Sequence, residues 1–298
     1  MSWPDPPPGP LRLEPWDSPN HVLAPWFDHW RTQRREHYAR RGPVSARRSA
    51  VLTIAQNESV FLPIWLRYYS QFFSAGDMYV LDHDSTDGST ELGGFQRIRV
   101  SHDTFDNSWM VSTVEQHQRE LLESYDVVVV VDVDEIVAPA PPLGTLGDYL
   151  ARFDEEWVNC LGYEVLHQHD SEPPFDPARG VLEQRSTWFA STGYDKPAVA
   201  SVPLSWRPGF HGRVDYHFNG DPDLRMIHLH RMDYEICRAR HERWASVPWN
   251  ERDLEHGWGV HNRVTEDQEF ERWFYERPAL ANYDLVPEPI GDVWKSVV

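Results

Sequence analysis

Apolar and polar positions change register along the chain, and the changes mark its elements. From Ser49 onward, short apolar runs alternate with stretches of helical spacing. Residues 50–56, AVLTIAQ, are apolar on both faces, as a strand inside a parallel sheet must be. In 57–73, Phe61, Trp65, Tyr68 and Phe72 recur every three or four residues and predict a helix. Asn57 or Ser59 can cap it, and Pro63 falls early enough to be tolerated. MYVLD (78–82) predicts a second strand, and the weaker QRIRVS (96–101) a third. The spacing in 108–125 predicts a helix that turns Met110, Val111, Val114, Gln118, Leu121, Leu122 and Tyr125 inward. Valines from Val127 to Val131 follow as a fourth strand. This β-α-β-(α)-β-α-β order implies right-handed crossovers and a parallel sheet with helices on both faces.

Past residue 150 the pattern differs. Strands are expected over 157–168, 197–206 and 224–232, separated by loops rich in Pro, Gly and Asp. Segments 234–247 and 265–278 predict helices, the second opening on the capping box Thr265…Gln268. Residues 1–20 are Pro-rich and predict an extended segment. Residues 24–42 predict a short helix on which Arg31, Arg34, Arg35, Arg40 and Arg41 form a solvated face. The expected organisation is an N-terminal extension (1–48), a ligand-binding half (49–150) and a C-terminal half of the same domain (151–298).

Composition narrows the possible partners. A formal charge of −19 argues against nucleic acid, which needs a basic face. A small phosphorylated ligand stays possible, because a metal ion neutralises phosphates locally. The 14 tryptophans suggest binding walls as well as core. Cys160 and Cys237, the two cysteines, make no disulfide framework and no zinc pattern. There is no 18-residue apolar run and no signal-peptide pattern, so a soluble cytoplasmic protein without a membrane span is expected.

Candidate chemistry gathers where strands end. The valine run stops at Asp132, Asp134 and Glu135, three carboxylates in four residues. Crowded like that, they need a cation or polar ligand to offset their repulsion. The first strand ends in Gln56, Asn57 and Glu58, the second in Asp82, His83 and Asp84. In an open parallel sheet these carboxyl ends are where ligands bind. No GxGxxG follows the first strand and no GxxxxGK[ST] is present, which excludes the common dinucleotide and P-loop designs.

Taken together, AQNE (55–58), LDHDSTDGST (81–90) and VVVVVDVDEIV (127–137) resemble a GT-A-type, family 2-like bacterial glycosyltransferase with its Asp-x-Asp motif. YDKPAVA, SWRPGFHGR and RMIHLHRMDYE are similar to its downstream blocks, so the resemblance spans roughly residues 49–245. It implies an α/β fold: a GT-A-like (Rossmann-like), mostly parallel sheet flanked by helices, with a mixed α+β C-terminal acceptor half. It also implies sugar transfer from a nucleotide-diphospho-sugar to a carbohydrate or other hydroxyl acceptor, with inversion and with Mn²⁺ or Mg²⁺. Asp134 resembles the metal ligand of the motif, and Asp132 its partner on metal or ribose. His228 resembles the histidine that completes the metal shell, with His230 on the same strand face. Asn57, Glu58, Asp82 and Asp84 match donor-site positions, while Gln116, Lys196 and Arg213 are candidates to reach the donor or its diphosphate. His211 is a candidate for metal or acceptor. Asp195 ranks ahead of Asp170 and Asp267 as catalytic base, and Asp267 reads as a helix cap. Trp188, Trp206, Trp244, Trp249 and Trp258 are candidate apolar walls. His83 stands where a second acid is usual, which leaves the nucleotide base open. A metal-dependent phosphoesterase and a sugar-nucleotide-binding protein without turnover are the alternatives. If the acids simply repel one another, Asp134→Asn should leave the unliganded protein as stable as before or more so.

Overall fold

The structure is a computed structural model in which residues 27–39, 47–276 and 287–298 are described. The first half runs α1 (Phe27–Ala39), β1 (Ser49–Ala55), α2 (Phe61–Tyr69), β2 (Met78–His83), β3 (Gln96–Val100), α3 (Asn107–Leu121), β4 (Val127–Val130), β5 (Glu135–Pro139) and α4 (Leu146–Leu150). The second runs β6 (Trp157–Leu166), α5 (Val181–Gln184), β7 (Thr187–Ala190), β8 (Lys196–Ala200), β9 (Gly220–His228), α6 (Tyr234–Ser246), α7 (Glu251–His256), α8 (Asp267–Glu276) and β10 (Glu288–Pro289). The Pro-rich segment 1–20, Arg40 and Arg41 lie outside the described residues.

One α/β sheet organises the chain, in the order β10-β7-β6-β8-β4-β1-β2-β3. β3, β2, β1 and β4 are parallel, with β1 between β2 and β4. β8 joins β4 antiparallel, β6 joins β8 antiparallel, and β9 adds parallel to β6. The second half therefore continues the sheet of the first.

The valine run shows why this sheet is buried. Side chains alternate faces along a strand. Val127, Val129 and Val131 pack in the layer that holds Trp65, Tyr68 and Tyr69 of α2. Val128 and Val130 pack in the opposite layer, with Val111 and Val114 of α3. Five consecutive valines thus serve two cores at once. Gln118, one of the expected inward positions of α3, is fully buried and accepts the Leu204 N–H at 2.9 Å.

Three strands go beyond the expected set, the two-residue β10 against β7 being the shortest. β5 leaves the turn after β4 and pairs antiparallel with β9, and β7 pairs with β6. Two expected caps also fall elsewhere. α2 begins after Val60 with no side-chain cap, so neither Asn57 nor Ser59 stands at the capping position. At α8, Glu266 rather than Thr265 caps, accepting the Glu269 N–H at 2.9 Å. The basic face of α1 is not solvated as expected: Arg31 and Arg35 meet Asp223 at 2.9 and 2.5 Å, and Arg34 meets Glu155 at 2.5 Å. Cys160 and Cys237 are free and buried. No helix among the described residues is long and apolar enough to cross a membrane.

Candidate functional site

A cavity of about 400 Å³ opens at the carboxyl ends of β1, β2 and β4. The residues after β4 build its floor. Val131 N–H still bonds Leu52 O across to β1, and the chain then turns, with Glu135 N–H closing on Asp132 O at 3.0 Å. That turn delivers Asp132, Val133 and Asp134 to the cavity and returns the chain as β5.

Two cations serve the three carboxylates. Lys196, wholly buried at the start of β8, places Nζ 2.9 Å from Asp132 Oδ2 and 2.5 Å from Glu135 Oε2. Burial opposes the charge on Lys196, but the two carboxylates outweigh it and raise its pKa. Burial pushes Glu135 above the usual carboxyl range even with Lys196 beside it. Asp134, 3% exposed, is ion-paired to Nη1 of Arg240 from α6. Burial alone would raise the Asp134 carboxyl, but Arg240 and His228 outweigh it and hold its pKa at about 2. Arg240 also reaches Glu58 Oε1 at 3.1 Å, and Arg243 reaches the same oxygen at 2.6 Å.

Two histidines meet Asp134 from the end of β9. His228 Nε2 lies 3.6 Å and His230 Nδ1 3.8 Å from Asp134 Oδ2. β-sheet register fixes His228, which stands opposite both Glu135 on β5 and Glu164 on β6. Its Nδ1 donates to Glu164 Oε2 at 2.7 Å, and its ring stacks on Tyr194. Burial disfavours its charged form, yet Glu164 and Asp134 prevail and push the imidazole up to about 9. His230 goes the other way: burial, with Arg240 next to it, drives its pKa well below the ordinary value.

The structure brings some of the candidate residues together and holds others apart. Glu58, Asp132, Asp134, His211 and His228 line the cavity, as do His83, Trp244 and Trp258. Asn57 instead serves the backbone: its Oδ1 accepts the Thr86 and Asp87 N–H groups and ties the β1–α2 loop to the turn after β2. Asp82 is spent on Arg97 at 2.6 Å and on the Ser85 N–H, so it is a turn and ion-pair residue away from the cavity wall. Asp84 is exposed, at φ 52°, and accepts from the Ser101 hydroxyl. Gln116 is exposed and bonded to Glu120 of its own helix, which corrects its placement on the donor. Lys196 cannot meet a diphosphate directly, because it is buried behind Asp132. Asp195 is buried and accepts the Gly162 N–H at 2.8 Å, a structural role that does not suit a base facing an acceptor. Arg213 pairs with Asp215 at 2.6 Å, and Asp267 with Arg238. Trp188 and Trp206 are buried core, and Trp249 stacks on Phe105 at 4.2 Å.

Arg240, Glu164 and His241 had no place in the sequence-based site. Glu164 carried a signal, since a lone carboxylate inside an otherwise uncharged strand must have a partner. Arg240 and Trp244, four apart on α6, share a helix face.

No family model matches the sequence, and no curated protein does. Among solved structures the chain is similar to a glucosyl-3-phosphoglycerate synthase from Mycobacterium tuberculosis in complex with Mn²⁺, uridine-diphosphate and glucosyl-3-phosphoglycerate. That match has 21% identity over 30% of this chain and 34% of that one, with a TM-score of 0.22, so it spans about a third of the other protein. A mannosyltransferase from Pyrobaculum calidifontis in complex with GDP-Man and Mn²⁺ is 14% identical over 85% of this chain and 83% of that one (TM-score 0.36). A galactosyltransferase in complex with donor and acceptor sugar analogues is 16% identical over 43% and 55% (TM-score 0.23).

Proposed function

We propose that the chain is a metal-dependent, GT-A-type glycosyltransferase that moves a sugar from a nucleotide-diphospho-sugar to an acceptor hydroxyl, with inversion. The observation that carries this reading is the end of β4: an Asp-x-Asp turn at the carboxyl end of a parallel sheet, facing a cavity, with imidazole nitrogens converging on its second aspartate. The donor set fits a divalent cation, Mn²⁺ or Mg²⁺, with Asp134 and His228 as the residues that would hold it. Bound there, such an ion supplies Lewis-acid stabilisation to the charge that builds on a departing diphosphate.

The chain's own residues supply the rest. Asp132, oriented by Lys196, faces the cavity for a ribose hydroxyl or a metal-bound water. Arg240 keeps Asp134 ionised and aimed. Trp244 and Trp258 offer apolar faces on which a sugar ring can stack. His211 takes the role of general base, accepting the acceptor's proton during in-line displacement, because it reaches the cavity and Asp195 does not.

Incubation with a panel of sugar nucleotides and Mn²⁺ tests the reading. Release of nucleoside diphosphate, slow with water and faster with an acceptor, is expected. Release of orthophosphate from phosphate esters would replace the transferase with a phosphoesterase. Metal-dependent binding with no turnover would leave a binding protein.

A further inference from the structure

We propose that His230 is a third protein ligand of the cation, so that His228 Nε2, His230 Nδ1 and Asp134 Oδ2 form a two-histidine, one-carboxylate set selective for transition-metal ions over Mg²⁺. The proposal rests on the reading above only in placing a cation beside Asp134.

Hydrogen bonds on the far side of each residue set the donor atoms. His241 Nδ1 lies 3.0 Å from Val264 O, a carbonyl that only accepts, so Nδ1 carries the proton and Nε2 is bare. His230 Nε2 lies 3.0 Å from that bare nitrogen and must donate to it. The proton on Nε2 leaves His230 Nδ1 with its lone pair, and Nδ1 is the nitrogen that faces Asp134. By the same logic, His228 gives its Nδ1–H to Glu164 and, as a neutral ligand, turns a bare Nε2 inward. Asp134 Oδ2 accepts from Arg240, but a carboxylate offers about four lone-pair sites, so coordination stays open. Partners of this kind fix the tautomer and aim of metal ligands.

The spacing agrees. Asp134, His228 and His230 each offer a ligand atom within 4.8 Å of the other two. Donors about 2.1 Å from one ion sit roughly 3.0–3.4 Å apart, so the observed 3.6 and 3.8 Å close by about 0.2–0.8 Å on loading. Asp132 is not in this group, and its carboxylate is engaged by Lys196. Two imidazoles are poor partners for Mg²⁺, which prefers oxygen and keeps its waters. They favour first-row transition ions, in the order Mn²⁺ below Co²⁺.

The test uses the full chain with MgCl₂, MnCl₂ or CoCl₂ alone, without nucleotide, by titration calorimetry and by visible absorption of the Co²⁺ form. Mn²⁺ should bind at least tenfold more tightly than Mg²⁺, Co²⁺ more tightly still, and the Co²⁺ spectrum should carry the bands of nitrogen ligation. His230→Ala should weaken Mn²⁺ tenfold or more, and His241→Phe, which removes the partner of His230 together with the bond to Val264 O, several-fold. Equal affinity of the parent for Mg²⁺ and Mn²⁺, or parent-like Mn²⁺ binding by folded His230→Ala, overturns the proposal; the first result needs no variant to fold. If Mn²⁺ binds through His230 but no nucleoside diphosphate is released from any sugar nucleotide, the transferase reading fails and this proposal stands.

Discussion

Replacing Asp134 by Asn separates two views of the acids after β4. A mutually repelling cluster would lose strain on neutralisation and gain stability. In the structure the carboxylate is held by Arg240 and by His228, and its pKa falls from the ordinary 3.8 to about 2. At 1.36 kcal/mol per pKa unit, that preference contributes about 2 kcal/mol at neutral pH. The variant also strands a buried guanidinium, and breaking a buried pair costs about 3–5 kcal/mol. Arg240 keeps Glu58 at 3.1 Å, which moves the expected cost to about 2–4 kcal/mol. At about 2–4 °C per kcal/mol the melting temperature drops by roughly 4–16 °C. A depressed carboxyl pKa stabilises above the unfolded value and loses that contribution as pH falls through the folded one, here between about 4 and 2. This group's part of the loss should therefore be constant from pH 5 to 8. Urea unfolding followed by tryptophan fluorescence at pH 7 measures it. A variant as stable as the parent, with an unchanged m-value, would refute the view that cations stabilise this carboxylate.

Other outcomes follow from the same contacts. Lys196→Met strands Glu135 and Asp132 and should cost about 3–5 kcal/mol in urea unfolding. Glu135 already has a raised pKa, and losing Lys196 raises it further, so stability present at low pH is lost as pH rises and the penalty should be larger at pH 8 than at pH 6. Both cysteines are fully buried, so a thiol reagent should find none in the native protein and two in denaturant. A chain lacking residues 1–20 should bind nucleotide with Mn²⁺ as the parent does, read by thermal shift; lost binding would place that segment in the donor site.

The parallel half of the sheet was legible because both of its signals are local. All-round apolar runs mark buried strands, and Phe61, Trp65 and Tyr68 mark a helix face that is indeed buried. The clustering of acids at strand ends was equally plain, since topology alone dictates where those ends open. What the acids do was not legible. Their partners Lys196 and Arg240 lie 64 and 106 residues downstream, and nothing in either segment announces the contact. Asp82 and Asp84 have the residue type of a nucleoside contact and equally that of a turn, and here they serve Ser85, Arg97 and Ser101. β5 escaped notice because its four apolar and proline residues run straight on from the acids, within a Pro-rich stretch.

The distance from Asp134 to Arg240 also has a consequence during synthesis. At about 5–20 residues per second, a ribosome that has made Asp134 needs roughly 5–20 s more to make the arginine that neutralises it. For the first part of that interval, the roughly 3–12 s before Lys196 and β8 are made, the nascent first half carries three acids without their cations, and β4 shows a bare edge where β8 will later pair. Such an edge invites pairing with other chains. Expressed alone, a fragment ending near residue 150 should therefore aggregate or need a chaperone, and co-expression of the remaining chain should rescue it.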